Sequence, residues 1–136
     1  MIFHRFRAAV LGTVAVLAAG FLSTAAMAAA RDYRIELVSA QAAGAGKTDV
    51  TVRLIHLPDS KPVPDAVIFQ TRADMAPSGM PTMTGKVSPA AAQPQPGTYR
   101  LQVETGMAGG WALNMSAKIQ GETETVRSTI TFNAAQ

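Results

Sequence analysis

The sequence predicts an all-β chain, a small antiparallel sandwich of about seven strands behind an N-terminal signal peptide. Three observations predict it. From residue 33 onward, short runs alternate apolar and polar residues, the period of two that marks a strand buried on one face. Turns rich in glycine and proline separate these runs about every 8–12 residues, as in small sandwiches. Nowhere in this region do apolar residues recur with the period of a helix.

The N-terminus carries Arg5 and Arg7 with no acid, then an uncharged apolar run from Ala8 to Leu22, then Ala26-Met27-Ala28. A basic end, a short greasy middle and a small-residue exit mark a secretory leader. Residues 1–28 therefore read as a signal peptide and 29–136 as one exported β-domain. The competing reading is a retained anchor, since the uncharged stretch continues to Ala30 and about 20 apolar residues span a bilayer. Alanine and glycine weaken that stretch, which favours cleavage and a periplasmic protein. Membrane attachment is expected only through an uncleaved leader.

Tyr33-Arg34-Ile35-Glu36-Leu37 alternates as a half-buried strand, and Ala40–Lys47 is a small-residue, glycine-bearing loop. Asp49–His56 is the cleanest strand, with Val50, Val52 and Leu54 on one face. Leu57–Asp65 holds Pro58, Pro62 and Pro64, which cannot donate to a regular ladder, so it reads as a connection. Ala66–Arg72 is a third strand, running into the broken loop from Asp74 to Met83. Ser88–Pro96 is a second proline-rich linker. Gly97 opens a strand through Tyr99, Leu101 and Val103. After the turn at Gly106–Gly110, Trp111, Leu113, Met115, Ala117 and Ile119 alternate inward. Gly121-Glu122 turns into a last strand, Thr125–Phe132, on which Val126, Ile130 and Phe132 share a face.

Charge and composition exclude several functions. Without Arg5 and Arg7 the twelve basic residues fall to ten, against nine acidic ones. No basic stripe remains to neutralise phosphates, so nucleic acid is not an expected partner. With no cysteine, there is no disulfide, thiolate metal site or cysteine nucleophile. His56 is the one histidine past the leader, and a rim position before Leu57-Pro58 suits it. No Gly-x-Ser-x-Gly elbow or zinc motif is present, and no enzyme is expected. Asn114-Met115-Ser116 matches a glycosylation acceptor, but in the middle of a strand.

The methionines carry the chemical hint. Thioether sulfur is soft, uncharged and needs no deprotonation, so it suits Cu(I) or another soft ion better than hard cations. Met80-Pro81-Thr82-Met83 places two sulfurs three residues apart, with Met75 five residues before. Met107 sits in the glycine turn before Trp111 and joins them if the loops meet at one end of the sandwich. Trp111 offers an indole face to a cation, and Asp74 either adds charge or caps the turn. Methionine is equally the adaptable filler of cores. Met115 reads as core, and Met75 as the last inward residue of its strand. Gly79 and Pro81 make core packing harder to assign to Met80 and Met83, which leaves a metal site, loop packing and an apolar docking patch open.

The succession Asp74-Met75-x-x-x-Gly79-Met80-x-x-Met83, Pro96-Gly97-x-Tyr99 and Met107-x-Gly109-Gly110-Trp111-x-Leu113, ending in a strand with Phe132, resembles the YtkA-like/FixH-like family over about Val50–Phe132. The resemblance implies an immunoglobulin-like sandwich outside the cytoplasm and a link to copper or heavy-metal efflux or to oxidase maturation. It also implies the ligand candidates Met75, Met80, Met83 and Met107, with Trp111 beside them. Members often carry histidine near the first methionine loop, and this chain has none there, which points to a Cu(I)-type thioether site. A cleavable leader departs from the FixH-like members, which keep an anchor.

Two functions follow as expectations. The first is a periplasmic accessory protein that holds a soft metal ion through Met80 and Met83, with Met75 or Met107 completing the site. It would pass the ion to an efflux or oxidase-maturation partner in metal homeostasis. The second is a metal-free module in which the Met/Pro/Gly loop docks on another envelope protein.

Overall fold

Val50, Val52 and Leu54 alternate with Thr51, Arg53 and Ile55, and their strand is the spine of the first of two sheets. A computed structural model describes residues 30–135; the expected leader, residues 1–28, lies outside the described residues. The strands are β1 (Tyr33–Ala42), β2 (Lys47–His56), β3 (Lys61–Pro62), β4 (Ala66–Met75), β5 (Met80–Gly85), β6 (Ala91–Ala92), β7 (Thr98–Glu104), β8 (Gly109–Ile119) and β9 (Thr125–Ala134). The first sheet runs β1-β2-β7-β6, with β3 also paired to β2, and the second runs β5-β4-β8-β9. All pairings are antiparallel.

The inner faces are those the alternation predicts. Val50, Val52, Leu54, Leu101 and Val103 of the first sheet are fully buried, as are Ala73, Leu113 and Ala117 of the second. Trp111, Met115, Ile119, Val126, Ile130 and Phe132 complete one continuous core. At an upper figure of about 25 cal/mol per Å2 of apolar surface removed from water, such side chains contribute roughly 1.5–3 kcal/mol each. That burial holds a chain without disulfides together.

Three departures from the expected elements have physical causes. The two proline connections each contain a two-residue strand, β3 and β6, because edge strands tolerate residues without a backbone donor. β4 runs past Arg72 to Met75 and is bulged: its register against β8 steps from Phe69↔Ser116 to Arg72↔Asn114, leaving one residue extra. Gln70 takes the left-handed conformation there, with φ 51°, at a cost of roughly 1–2 kcal/mol for a residue bearing a Cβ. The expected loop at Met80–Met83 is largely the edge strand β5, whose register jumps from Met75↔Met80 to Asp74↔Thr84. Pro81, Thr82 and Met83 therefore bulge out of the ladder. Pro81 has no N–H to give it.

Two further features close the ends of the sandwich. The Tyr99 hydroxyl donates to Val63 O at 2.6 Å and accepts from Ala66 N at 3.1 Å, pinning the proline connection onto β7. At the other end, the chain leaves the second sheet at Gly85 and joins the first: Glu104 N donates to Lys86 O at 2.8 Å, Val87 bridges Val103, and Ser88 N donates to Gln102 O at 2.8 Å. A Cβ on Gly85 would lie 2.1 Å from Glu104 O, so the crossing requires glycine. Among the described residues, no helix is long and apolar enough to cross a membrane.

Candidate metal centre

β4 ends by turning sharply, and its own residues make the turn. Asp74 Oδ1 accepts from Ala76 N at 3.0 Å, and Pro77 presets the backbone of a single 3-10 turn, Ala76–Ser78. Gly79 N donates to Ala76 O at 2.9 Å, and Gly79, at φ 78°, takes the left-handed position that returns the chain to β5. Arg72 Nε donates to Asp74 Oδ2 at 3.4 Å. Asp74 is buried, with both oxygens engaged within the turn. The bond to Ala76 N is the turn-capping contact that the sequence offered as one of its two roles.

This corner packs directly on the turn between β7 and β8. Ser78 Oγ accepts from Gly110 N at 2.9 Å and donates to Gly110 O at 3.0 Å. Pro77 lies against Gly110, and a Cβ on Gly109 would come within 3.3 Å of the Met75 methyl. The indole of Trp111 donates from Nε1 to Met107 O at 3.0 Å. Its ring lies beneath Gly85, where a Cβ would approach Cζ3 to 3.4 Å. The Met75–Met83 stretch and the Met107 turn are therefore neighbours at one end of the sandwich.

The five candidate residues differ in exposure. Met75 is 1 % exposed and Trp111 is 2 % exposed, both in the core. Met80 is half-buried and packs against the core beside Met75, its register partner on β4. Met83, on the bulge of β5, and Met107, in the turn, are each 41 % exposed. Exposure of the thioether side chains thus rises from Met75 through Met80 to Met83 and Met107. Met75 fills a core position of the kind an adaptable methionine side chain suits, whereas the exposed Met83 and Met107 have no packing task of that size.

Among the described residues, no three His, Cys, Asp or Glu side chains come together. The donor chemistry available at this corner is thioether, which fits a soft ion and not a hard one. His56 lies at the far end of β2, roughly 30 Å along the strand from Lys47. There its Nδ1 meets Asp59 Oδ1 at 2.8 Å and its ring packs on Tyr33, with centroids 5.0 Å apart. That His56–Asp59 hydrogen bond, with Lys61 N as a second donor, holds the Asp59 carboxyl below its ordinary range.

The residues whose structural roles the sequence does not announce are Ser78 and Gly85, while Gly110 stands out only as part of its turn. A serine after proline and before glycine is an ordinary turn former, and nothing near it in the chain indicates a partner 32 positions away.

The YtkA-like family model matches residues 27–116, which include all five candidate residues. Comparison with curated proteins gives no match.

Proposed function

The chain belongs to the YtkA-like family, and from that premise we propose that it is an exported accessory protein carrying a soft, Cu(I)-type metal ion on a methionine corner. Met80 and Met83 supply thioethers from β5, and Met107 supplies a third from the facing turn. Met75 lies beneath them as core. Trp111 sets the floor of the corner and the position of the Met107 backbone. Neutral sulfur ligands hold such an ion without deprotonation and release it readily, which suits handover to an envelope partner in metal efflux or oxidase maturation. Acid–base or nucleophilic catalysis forms no part of this reading.

The observation that carries it is the double hydrogen bond between Ser78 and Gly110, which brings the two methionine-bearing segments to one corner. The exposure of Met83 and Met107 supports it, because solvent-facing thioethers are available to an ion. The test is competition for Cu(I) against a chromophoric chelator under reductant. Met80→Leu with Met83→Leu should weaken binding at least tenfold; unchanged affinity rejects the proposal. The same exposure also favours a second reading, a metal-free docking patch. A pull-down complex with an envelope protein that forms equally well with a copper chelator present would select it.

A further inference from the structure

The outer face of the second sheet carries a second candidate site, unrelated to the methionine corner. The register places Ser116 beside Phe69 and Arg127, and Asn114 beside Arg72 and Thr129, all on that face. Between them lies an open depression of about 510 Å3 whose polar lining is Gln70, Asn114, Ser116, Arg127, Ser128 and Thr129, with Met115 as its apolar member. Ser116 is its floor, buried although it points outward. The rim is raised by the bulge of β4, where Gln70 is held at φ 51°. Strained backbone of this kind persists where the surroundings enforce it and is concentrated at binding sites.

The polar groups are biased towards donation. Thr129 Oγ1 donates to Asn114 Oδ1 at 2.6 Å, and Ser116 Oγ donates to Gln70 Oε1 at 3.3 Å. Both amide oxygens are thereby engaged, while both amide NH2 groups remain without a partner among the described residues. Arg127 likewise has no ion pair or hydrogen bond there, and no acidic side chain lines the depression. We infer that this depression binds a small organic carboxylate, with Arg127 as the charge partner and Gln70 and Asn114 as amide donors. A guanidinium fork matches a carboxylate in two parallel hydrogen bonds. Its single charge balances a carboxylate group, whereas a phosphate group at neutral pH carries nearly two. The depression is larger than the carboxylate itself and leaves room for the body of the ligand.

The test is a 1H–15N titration of the full chain with sodium butyrate, a monocarboxylate, and separately with inorganic phosphate, at constant ionic strength. The side-chain NH2 signals of Gln70 and Asn114 should shift and saturate with butyrate, and phosphate should act more weakly. Arg127→Gln, at an exposed position, should raise the butyrate midpoint at least tenfold. Asn114→Asp, the same shape with a repelling charge, should abolish saturation while the backbone spectrum stays folded. Shifts that never saturate, or midpoints unchanged in both variants, overturn the site. Tighter binding of phosphate than of butyrate overturns the carboxylate assignment.

Discussion

Ser78 and Gly110 hold each other through one hydroxyl, which accepts from Gly110 N at 2.9 Å and donates to Gly110 O at 3.0 Å. This pair joins the turn that ends β4 to the strand that begins β8. It is therefore the joint on which the geometry of the methionine corner depends.

Ser78→Ala removes both bonds at an exposed site, where the freed Gly110 groups find water. The expected cost is about 1 kcal/mol in urea unfolding. Hydrogen exchange at the Trp111 indole should quicken, because its acceptor, Met107 O, lies in the turn that the pair steadies. Unchanged exchange would show that the turn is held by other contacts.

Gly85→Ala drives a methyl group into Glu104 O and against the Trp111 ring. Backbone cannot yield as a flexible side chain does, so the loss should be on the order of 2–3 kcal/mol. The near-ultraviolet circular dichroism of Trp111 should change with it. A fully stable variant with an unaltered spectrum would contradict the crossing at this residue.

Most of the fold is legible in the sequence where both faces of a strand are strictly specified. The inward residues of β2, β7, β8 and β9 are those the alternation names, since each strand packs one face on the core, although Ala112 and Ser116 on the outer face of β8 are buried as well. β5 is obscured because an edge strand needs only a few ladder bonds, and Pro81 removes one. The bulge in β4 is obscured because Gln70 is not a residue whose presence signals a left-handed backbone. At the methionine corner, residue chemistry is legible and proximity is not. The meeting of Met75 and Met80 with the Met107 turn rests on one serine hydroxyl and two glycines, which pack closely because they have no side chains.

Tyr99→Phe leaves Val63 O and Ala66 N without their partner, at a cost of about 1–3 kcal/mol. Burial, helped by the charge of Asp65 and partly offset by the Ala66 N–H, holds the Tyr99 phenol above its ordinary 10. The unfolded chain therefore loses this proton first as pH rises, so wild-type stability should fall from about pH 10 upward. Tyr33, raised by burial and by its bond to Glu122, acts in the same direction. The variant should accordingly lose part of the alkaline slope in denaturant unfolding and retain the rest. An unchanged slope would show that Tyr99 ionises equally in both states.

The most direct measurement of the central claim is a Cu(I) titration of the protein against a graded series of chelators, under reductant, read by Trp111 fluorescence and by chelator absorbance together. Thioether coordination at the methionine corner predicts one ion per chain, quenching of Trp111, and loss of both signals in Met83→Leu with Met107→Leu. Failure to compete even with the weakest chelator, or binding that leaves Trp111 fluorescence unchanged and survives the double substitution, would contradict it.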